Sequence, residues 1–249
     1  MTDQNRTNIT NGTLYGLGVG PGDPELMTLK SMRILKSVSV VFAAASTKNT
    51  HSLAVNIARP YIPDTAQVVM LSFPMTKDKN ETRKAWEKNA HIILKKLRQG
   101  KDAAFLTLGD PMTYSTFGYI LKNIQILAPD IKVVSIPGIT SYQAAASRVN
   151  TPLVEGEEAL LIIPGTKFRE KLKQISNETE NIVIMKAYRN IKEIASALDD
   201  TNIFENRICI SNCGLPGEEI VRDLDILSDK QPDYWTLIIA KQKKENGAT

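Results

Sequence analysis

The sequence predicts an α/β protein of two domains, and three observations lead to this prediction. Short apolar runs typical of strands alternate with segments of helical periodicity through residues 13–149. Three of these runs end in glycine-containing loops, as do strands of open parallel sheets that bind ligands. A segment rich in proline, glycine and acidic residues, NTPLVEGEE at residues 150–158, then separates this region from a second series of strands and helices.

The first domain is expected to span residues 13–149, after a disordered polar tail at residues 1–12. Strands are predicted where apolar and β-branched residues cluster, at residues 13–19, 38–42, 67–73, 105–108 and 132–136. Helices are predicted from helical spacing of apolar residues at 26–36, 51–61, 81–99 and 117–127, and a small-residue helix follows the last strand. This alternation of strands and helices predicts a parallel sheet.

The second domain is expected to be smaller and to span residues 159–241, before a solvated tail at residues 242–249. Its predicted strands lie at residues 159–163, 181–186, 206–211 and 234–241. Its predicted helices lie at residues 167–175 and 191–198. We expect the sheet of this domain to be mixed.

The composition is that of a folded globular protein. Of the 249 residues, 42% are hydrophobic, which is enough for sizeable cores. The net charge of +4 is small and no basic block stands out, so we expect no nucleic-acid partner. No run approaches the roughly 18 apolar residues of a membrane span, and the polar start MTDQNRTNITNG has no apolar signal core. We therefore expect a cytoplasmic protein without a membrane partner.

Cysteine and histidine are too scarce to build a metal site. The chain contains only Cys209, Cys213, His51 and His91, and a Cys/His cage for zinc needs four ligands held close together. We therefore predict no metal and two reduced thiols. A CxxxC redox pair is the less favoured alternative, since free cysteine more often serves as a small buried hydrophobe.

The segment FLTLGDPMTYSTFGY, residues 105–119, has the pattern of a buried strand that delivers a loop to a ligand. Gly109 allows the backbone to approach a bound group, and Pro111 fixes the direction in which the chain leaves. The hydroxyls that follow can cap the next helix or bind the ligand. The alternative is an ordinary strand-to-helix turn. Two further glycine loops, at residues 16–25 and 137–141, favour the ligand-binding interpretation.

These loops do not fit a nicotinamide or a nucleoside triphosphate. The first loop does not match the GxGxxG motif of dinucleotide-binding proteins. The third glycine of the motif would be Pro21 if the motif began at Gly16, and Asp23 if it began at Gly18. The next strand ends in AAASTK, without an acid to hold a ribose. The loops also lack the lysine of the GxxxxGK[ST] motif, which binds the phosphates of a nucleoside triphosphate. The loops favour a ligand with a nucleoside, an amino-acid end and no polyphosphate, and S-adenosylmethionine is one of several such candidates.

Three stretches in this order resemble the tetrapyrrole (corrin/porphyrin) methyltransferase family: GVGPGDPELMTLK at residues 18–30, GDPMTYSTFGY at 109–119 and IPGITSYQAAA at 136–146. The likeness runs through residues 13–241. Within the family, FPMT (73–76), YSTFGY (114–119) and IMKAYRN (184–190) resemble the members that methylate carbon 20 of precorrin-2 or of its cobalt complex, cobalt-factor II.

The resemblance implies two α/β domains with S-adenosylmethionine bound in a bent form in a cleft between them, and a homodimer. It implies S-adenosylmethionine-dependent methylation of carbon 20 of precorrin-2 or cobalt-factor II in cobalamin biosynthesis. One alternative is another tetrapyrrole methylase, such as the siroheme-pathway uroporphyrinogen-III methyltransferase or one acting at a different ring position. A protein that binds an adenosyl ligand without catalysis is an alternative from another class, and a nicotinamide oxidoreductase is a third option.

The resemblance also implies which residues contact the cofactor. Those that match by position in the three loops are Pro21, Leu108, Gly109, Asp110, Thr113, Thr140 and Ser141. Met185, Cys213 and Gly214 are the matches in the second domain. Ser115 and Thr116 are added because their hydroxyls lie within the second motif.

Methyl transfer from a sulfonium is a one-step displacement, so the enzyme chiefly positions the reactants and needs no covalent nucleophile. A polar group is needed only to tune the acceptor carbon or to take its proton. The candidates are Asp110, Tyr114, Tyr119 and Lys186. Because the substrate carries several carboxylates, Arg148 and Arg189 are predicted to bind it. Each candidate also has a purely structural alternative. Asp110 would cap a turn, the two tyrosines would pack against a helix, Lys186 would be a solvated strand end, and the two arginines would be solvated surface charges.

Overall fold

The computed structural model describes residues 10–45, 52–74, 76–172, 179–201, 203–224 and 232–242. The predictions for residues 1–9 and 243–249, and for His51, lie outside the described residues. The chain divides into two compact units, Met1–Thr140 and Ser141–Thr249.

The first unit is built on a parallel sheet of five strands, in the spatial order β3-β2-β4-β1-β5. Its strands are β1 (Leu14–Gly18), β2 (Val40–Ala45), β3 (Gln67–Ser72), β4 (Ala103–Thr107) and β5 (Val133–Ile136). Every neighbouring pair in this sheet is parallel. The parallel sheet predicted from the alternation of strands and helices is therefore confirmed.

The described part of the first unit contains four α-helices, and side chains cap the start of two of them. The four helices are α1 (Leu29–Leu35), α2 (Leu53–Ala58), α3 (Lys79–Leu97) and α4 (Phe117–Leu127), with short 3₁₀ turns at Pro24–Leu26 and Arg59–Tyr61. Helix α1 starts later than predicted because Met27 is extended and Thr28 caps the helix, its hydroxyl accepting from the Ser31 N–H at 3.1 Å. Asp78 caps α3 in the same way.

Two apolar layers cover the two faces of this sheet. Phe105 of β4 packs with Ile93 of α3 and Phe117 of α4 on one face. The next residue, Leu106, belongs to the other layer together with Leu35 of α1. Successive strand residues point to opposite faces, so a strand covered on both sides reads as a continuous apolar run. This explains why β4 appears in the sequence as an uninterrupted apolar stretch.

The second unit contains a mixed sheet in the order β6-β7-β10-β8-β9. Its strands are β6 (Leu160–Pro164), β7 (Asn181–Met185), β8 (Asn206–Ser211), β9 (Glu219–Val221) and β10 (Thr236–Lys241). Only β6 and β7 are parallel among the described neighbouring strands, and the other pairs are antiparallel. The predicted mixed sheet is confirmed, although β9 was not predicted.

Helices flank the second sheet as well: α5 (Ser141–Arg148), α6 (Phe168–Leu172) and α7 (Ile191–Thr201), with a 3₁₀ turn at Ala187–Arg189. Phe168 of α6 and Ile194 of α7 pack with Ile182 and Ile184 of β7 in one core. The α6 helix was expected to reach residue 175, but residues 173–178 lie outside the described part of the chain.

Helix α5 belongs to the second unit, which differs from the predicted first domain ending at residue 149. Its Ala145 and Ala146 pack with Ile208 and Ile210 of β8 and Ile239 of β10. Small side chains let a helix lie close to a sheet, and this packing assigns α5 to that sheet. The segment at residues 150–158 is accordingly a connection within the second unit, where the Pro152 carbonyl accepts from Lys241 Nζ at 2.6 Å.

Candidate functional site

The three glycine loops of the first unit follow three strands that lie side by side. Strand β1 lies between β4 and β5, and their parallel register pairs Leu17 with both Leu106 and Ile136. The loops therefore emerge at the same edge of the sheet, which is where ligands bind in open α/β sheets. The sequence prediction that these loops share one edge is confirmed.

Backbone groups join the first loop to the second. Gly20 and Gly109 form an isolated antiparallel bridge. The Gly109 N–H donates to the Gly20 carbonyl at 2.7 Å, and the Gly20 N–H donates to the Gly109 carbonyl at 3.3 Å. Gly109 has φ +69°, a left-handed conformation that side chains other than glycine rarely adopt. Pro21 follows directly and is buried, whereas Leu108 is half-buried.

Glycine backbones pack against one another between the loops. A Cβ atom on Gly18 would lie 2.5 Å from the Gly109 carbonyl oxygen and 2.7 Å from Gly138 Cα. A Cβ atom on Gly138 would lie 2.2 Å from the same Gly109 oxygen. No real Cβ makes such contacts, so the edge closes only with glycine at these positions.

Asp110 ties the second loop to the third. Its Oδ1 accepts from the Met112 N–H at 2.8 Å, and its Oδ2 accepts from the Gly138 N–H at 3.0 Å. A carboxylate that accepts from two backbone donors is firmly oriented, since such charge-assisted bonds are stronger than neutral ones. Sequence reasoning placed Asp110 in the site but did not identify Gly138 as its partner, because nothing in the local pattern links residues 28 positions apart.

The hydroxyl side chains of the second and third loops differ in their surroundings. Ser115 Oγ lies 2.8 Å from Thr107 Oγ1 and accepts from the Phe117 N–H at 3.0 Å, so it supports the start of α4. Thr113 and Thr116 are half-buried, and Thr140 of the third loop is buried. The part that Thr107 plays in the contact with Ser115 was not predicted, because Thr107 lies between two leucines within an apolar strand segment.

The two predicted catalytic tyrosines lie in different surroundings. Tyr114 is 49% exposed and has φ +50°, so a non-glycine residue occupies the left-handed region within the loop. Tyr119 lies on α4 and stacks on Trp86 of α3, with ring centroids 3.9 Å apart and planes 9° from parallel. The Tyr119 ring therefore joins two helices, and Trp86 is the partner that sequence reasoning missed.

The described second-unit candidates gather around the end of β7 and the turn after β8. Ser141 Oγ lies 3.9 Å from the Met185 sulfur. Lys186 follows Met185 with φ +58° and is exposed, as is Arg189. The Arg189 guanidinium carbon lies 5.2 Å from the centre of the Tyr188 ring.

Arg148 and Gly214 meet through Glu218, which the sequence did not single out. Arg148 Nε donates to Glu218 Oε1 at 2.6 Å, and the Gly214 N–H donates to Glu218 Oε2 at 2.8 Å. The hydrogen bond to Glu218 raises the pKa of Arg148. Burial alone would raise the pKa of Glu218, but these two donors hold that pKa below its ordinary value. Arg148, predicted to bind substrate, thus links α5 to the Cys213–Gly214 turn.

Both cysteines are free thiols in buried positions. Burial raises the pKa of Cys209 from 9.0 to about 12, and burial also raises the pKa of Cys213. A thiol with a raised pKa is a poor nucleophile at neutral pH. The predicted reading of both residues as reduced thiols agrees with this structure.

The charge of the three loops suits a cationic ligand that lacks phosphates. Residues 19–28, 108–116 and 137–140 contain Asp23, Glu25 and Asp110 and contain neither lysine nor arginine. Lysine and arginine commonly bind phosphate groups, so their absence disfavours a phosphorylated ligand. A positively charged sulfonium is attracted to acidic side chains. The loops also carry hydroxyl side chains and no cation, so these residues fit S-adenosylmethionine.

Within the described ranges, no three His, Cys, Asp or Glu side chains are grouped so that they would hold a metal ion. The described helices also include none with the length and apolar character needed to cross a membrane.

Comparison with known proteins extends these observations to the whole chain. A family model for tetrapyrrole (corrin/porphyrin) methylases matches residues 13–224. The cobalt-precorrin-2 C(20)-methyltransferase of Salmonella typhimurium is 33% identical over 236 residues, which cover 94% of this chain and 98% of that protein. The probable cobalt-precorrin-2 C(20)-methyltransferase of Methanocaldococcus jannaschii is 36% identical over 233 residues, covering 93% of this chain and 96% of the other.

A solved structure shows the same fold. The uroporphyrin-III C-methyltransferase of Thermus thermophilus, complexed with S-adenosylhomocysteine, has a TM-score of 0.64 and 18% identity. The similarity covers 92% of each chain. With the family model matching most of the sequence and the fold agreeing, the chain belongs to the tetrapyrrole (corrin/porphyrin) methylase family.

Proposed function

We propose that this protein transfers a methyl group from S-adenosylmethionine to carbon 20 of precorrin-2 or of its cobalt complex, as a step of cobalamin biosynthesis. The observation that carries the proposal is the likeness, along nearly the full length of both chains, to two relatives named for this reaction. Since both relatives are named for cobalt-precorrin-2, we favour a cobalt-containing ring over the metal-free ring as the substrate.

We assign the methyl donor to the three loops of the first unit. The glycine packing, the absence of lysine and arginine from these loops and the three acidic side chains support a sulfonium ligand with an adenosyl group. The residues proposed to contact it there are Pro21, Leu108, Gly109, Asp110, Thr113, Ser115, Thr116 and Thr140. The second-unit candidates Ser141, Met185, Cys213 and Gly214 are proposed on the family resemblance.

The donor supplies an activated methyl group with its own leaving group. The protein therefore contributes mainly by orienting the reactants, an effect that supplies on the order of 7–11 kcal/mol in favourable cases. Asp110, with both carboxylate oxygens already bonded to backbone, is suited to hold the loops in position. Asp110, Tyr114, Tyr119 and Lys186 remain the candidates for moving the proton that leaves the acceptor carbon, and Arg148 and Arg189 for binding substrate carboxylates.

Isotope labelling tests the reaction directly. The protein is incubated with precorrin-2 or cobalt-factor II and S-adenosylmethionine carrying a ¹³C methyl group, and the product is examined by mass spectrometry and NMR. We expect the gain of one labelled methyl group at carbon 20, faster with the cobalt complex. A label at another ring position would favour a different tetrapyrrole methylase. Binding of the donor without any methyl gain would favour a non-catalytic adenosyl-binding protein.

We also propose that the protein works as a homodimer in the cytoplasm, without nucleic-acid or membrane partners. The family resemblance supports the dimer, and the small net charge of +4 supports the absence of a nucleic-acid partner. Light scattering coupled to size exclusion measures the mass of the particle. A monomeric mass at micromolar concentration contradicts the dimer.

A further inference from the structure

Three aromatic rings and an arginine form a continuous patch at one end of the second sheet. The Tyr188 and Tyr234 ring centroids lie 4.9 Å apart, and the Tyr234 and Trp235 centroids lie 4.6 Å apart with their planes nearly perpendicular. The Arg189 guanidinium lies over the Tyr188 ring. We call Tyr188, Tyr234, Trp235 and Arg189 the aromatic patch.

The strand pairing brings these residues together from distant parts of the chain. Strands β7 and β10 are antiparallel, with Met185 opposite Leu237, so the end of β7 and the start of β10 share one edge of the sheet. The 3₁₀ turn after β7 buries Ala187, and Tyr188 and Arg189 follow it on the same turn. Tyr234 and Trp235 directly precede β10.

The backbone beneath the patch is fixed by hydrogen bonds. The Asn212 N–H donates to the Trp235 carbonyl at 3.0 Å, and Asn212 Nδ2 donates to the Asp233 carboxylate at 2.5 Å. Thr236 Oγ1 donates to the Asp233 carbonyl at 2.6 Å. A ligand that contacts these rings therefore meets a surface that is already ordered, which limits the entropic cost of binding.

The rings nevertheless stay accessible. Tyr234 is 41% exposed and Trp235 is 43% exposed. Adjacent exposed rings are unusual on a protein surface and commonly mark a binding site, whereas singly scattered apolar residues do not. The Asp233 carboxylate beside them accepts from the Asn212 amide, and the exposed Arg189 guanidinium over the Tyr188 ring adds a positive charge to the patch.

We propose that the aromatic patch binds the tetrapyrrole substrate, with the rings against the face of the conjugated macrocycle and Arg189 against one of its carboxylates. This inference rests on the proposed function. Flat conjugated ligands stack on aromatic side chains, and a guanidinium forms forked hydrogen bonds with carboxylates. Rings and cation together match a ligand that is planar and polyanionic, whereas the acidic loops of the first unit do not.

The test compares substitutions in the patch with a substitution elsewhere on the same unit. Trp235→Ala and Arg189→Ala are each expected to raise the KM for cobalt-factor II about ten-fold, the factor that corresponds to roughly 1.4 kcal/mol. The dissociation constant of S-adenosylmethionine, measured by calorimetry, is expected to change less than about two-fold, because neither Trp235 nor Arg189 is among the residues proposed to contact the donor. Trp235→Phe retains a ring and is expected to recover most of the affinity.

The matched control is Ile220→Ala on β9, since Ile220 is 41% exposed and lies outside the patch. It is expected to leave the KM unchanged. Unfolding midpoints of all variants show whether Trp235→Ala still folds. If it does not, the KM of Arg189→Ala decides the matter.

An unchanged KM in both Trp235→Ala and Arg189→Ala overturns the inference while leaving the proposed function in place. Loss of the dimer in Trp235→Ala, seen by sedimentation, also overturns it, because the patch would then be an interface between copies. Failure of the wild-type protein to transfer any methyl group contradicts the proposed function instead. The patch is then tested separately by absorbance titration of the tetrapyrrole against wild-type protein and Trp235→Ala.

Discussion

At the scale of single residues, the site depends on side chains whose bonds are made to backbone. Asp110 holds two loops together, Ser115 supports a helix start, and Glu218 joins Arg148 to the Gly214 turn. Such residues carry a ligand site indirectly, by fixing the backbone that contacts the ligand. Their substitution is therefore expected to alter stability and binding together.

Replacing Asp110 with alanine removes the acceptor of the Met112 and Gly138 N–H groups. We expect a loss of about 1–3 kcal/mol in the free energy of unfolding, because two hydrogen bonds from backbone N–H groups to a charged carboxylate are lost, and weaker binding of S-adenosylmethionine. Urea denaturation and calorimetry measure the two effects. Asp64→Ala, in an exposed loop of the same unit, is the control. Wild-type stability and affinity in Asp110→Ala would reduce Asp110 to a turn residue.

Cys209 makes stability depend on alkaline pH. Burial raises its pKa from 9.0 to about 12, so the unfolded chain loses this proton first as pH rises. The thiol's contribution is complete below pH 9 and declines as pH rises toward 12. At pH 10 we expect a loss of about 1.4 kcal/mol from this group. Urea midpoints of wild type and Cys209→Ala between pH 8 and 10 test it, and equal slopes in the two proteins contradict it.

At the scale of elements, the spacing of apolar residues predicts where a helix lies in the sequence but not which residues of other elements it contacts. Apolar spacing predicted α3 and α4 well, since each presents a regular apolar stripe to the sheet. The same pattern did not reveal that Tyr119 stacks on Trp86, because the two residues lie on different helices. Strand β9 escaped prediction because three residues are too few to show alternation.

The stack of Tyr119 on Trp86 is expected to stabilise the contact between α3 and α4. Tyr119→Ala is expected to lower the free energy of unfolding by about 0.5–1.5 kcal/mol beyond the loss of buried area. Tyr119→Phe keeps the ring and is expected to unfold like wild type in a urea titration. The turnover of Tyr119→Phe then tests the predicted catalytic role of the hydroxyl at unchanged stability. A midpoint for Tyr119→Ala equal to that of wild type contradicts the stabilising role.

Helix α5 is expected to tolerate no larger side chain on its buried face. Ala145 is fully buried against β8 and β10, and an inserted side chain in a packed core typically costs about 1–3 kcal/mol. Ala145→Leu is therefore expected to lower the urea midpoint. Ser147→Leu, on the exposed side of the same helix, is the control. Equal midpoints in the two variants would contradict the assignment of α5 to the second sheet.

At the scale of the whole molecule, the fold class and the shared edge of the three loops were predictable, whereas the division between units was not. Glycine loops after apolar strands are local features and are visible in the sequence. The assignment of α5 depends on which sheet its alanines contact, and composition carries no such information. The polar composition of residues 150–158 indicated a connecting segment, but the boundary between the units is decided by the packing of α5, which the composition does not show.

Each unit contains one of the two tryptophans, Trp86 in the first and Trp235 in the second. In Trp235→Phe, fluorescence therefore reports on the first unit. We expect S-adenosylmethionine at about 100 times its dissociation constant to stabilise that unit by about 2.7 kcal/mol, since the ligand binds only the folded form. Reduced nicotinamide dinucleotide is the control ligand. No shift with the methyl donor would contradict its assignment to the first-unit loops.

The contacts that close the sheet edge have a kinetic consequence. Gly18, Gly109 and Gly138 touch through backbone alone, and Asp110 fastens the arrangement with its own carboxylate. At the donor site that we propose, these three loops are consequently already in place before the ligand binds. Capture at rates set by diffusion and orientation follows, with the backbone of these loops in the same conformation before and after the ligand arrives.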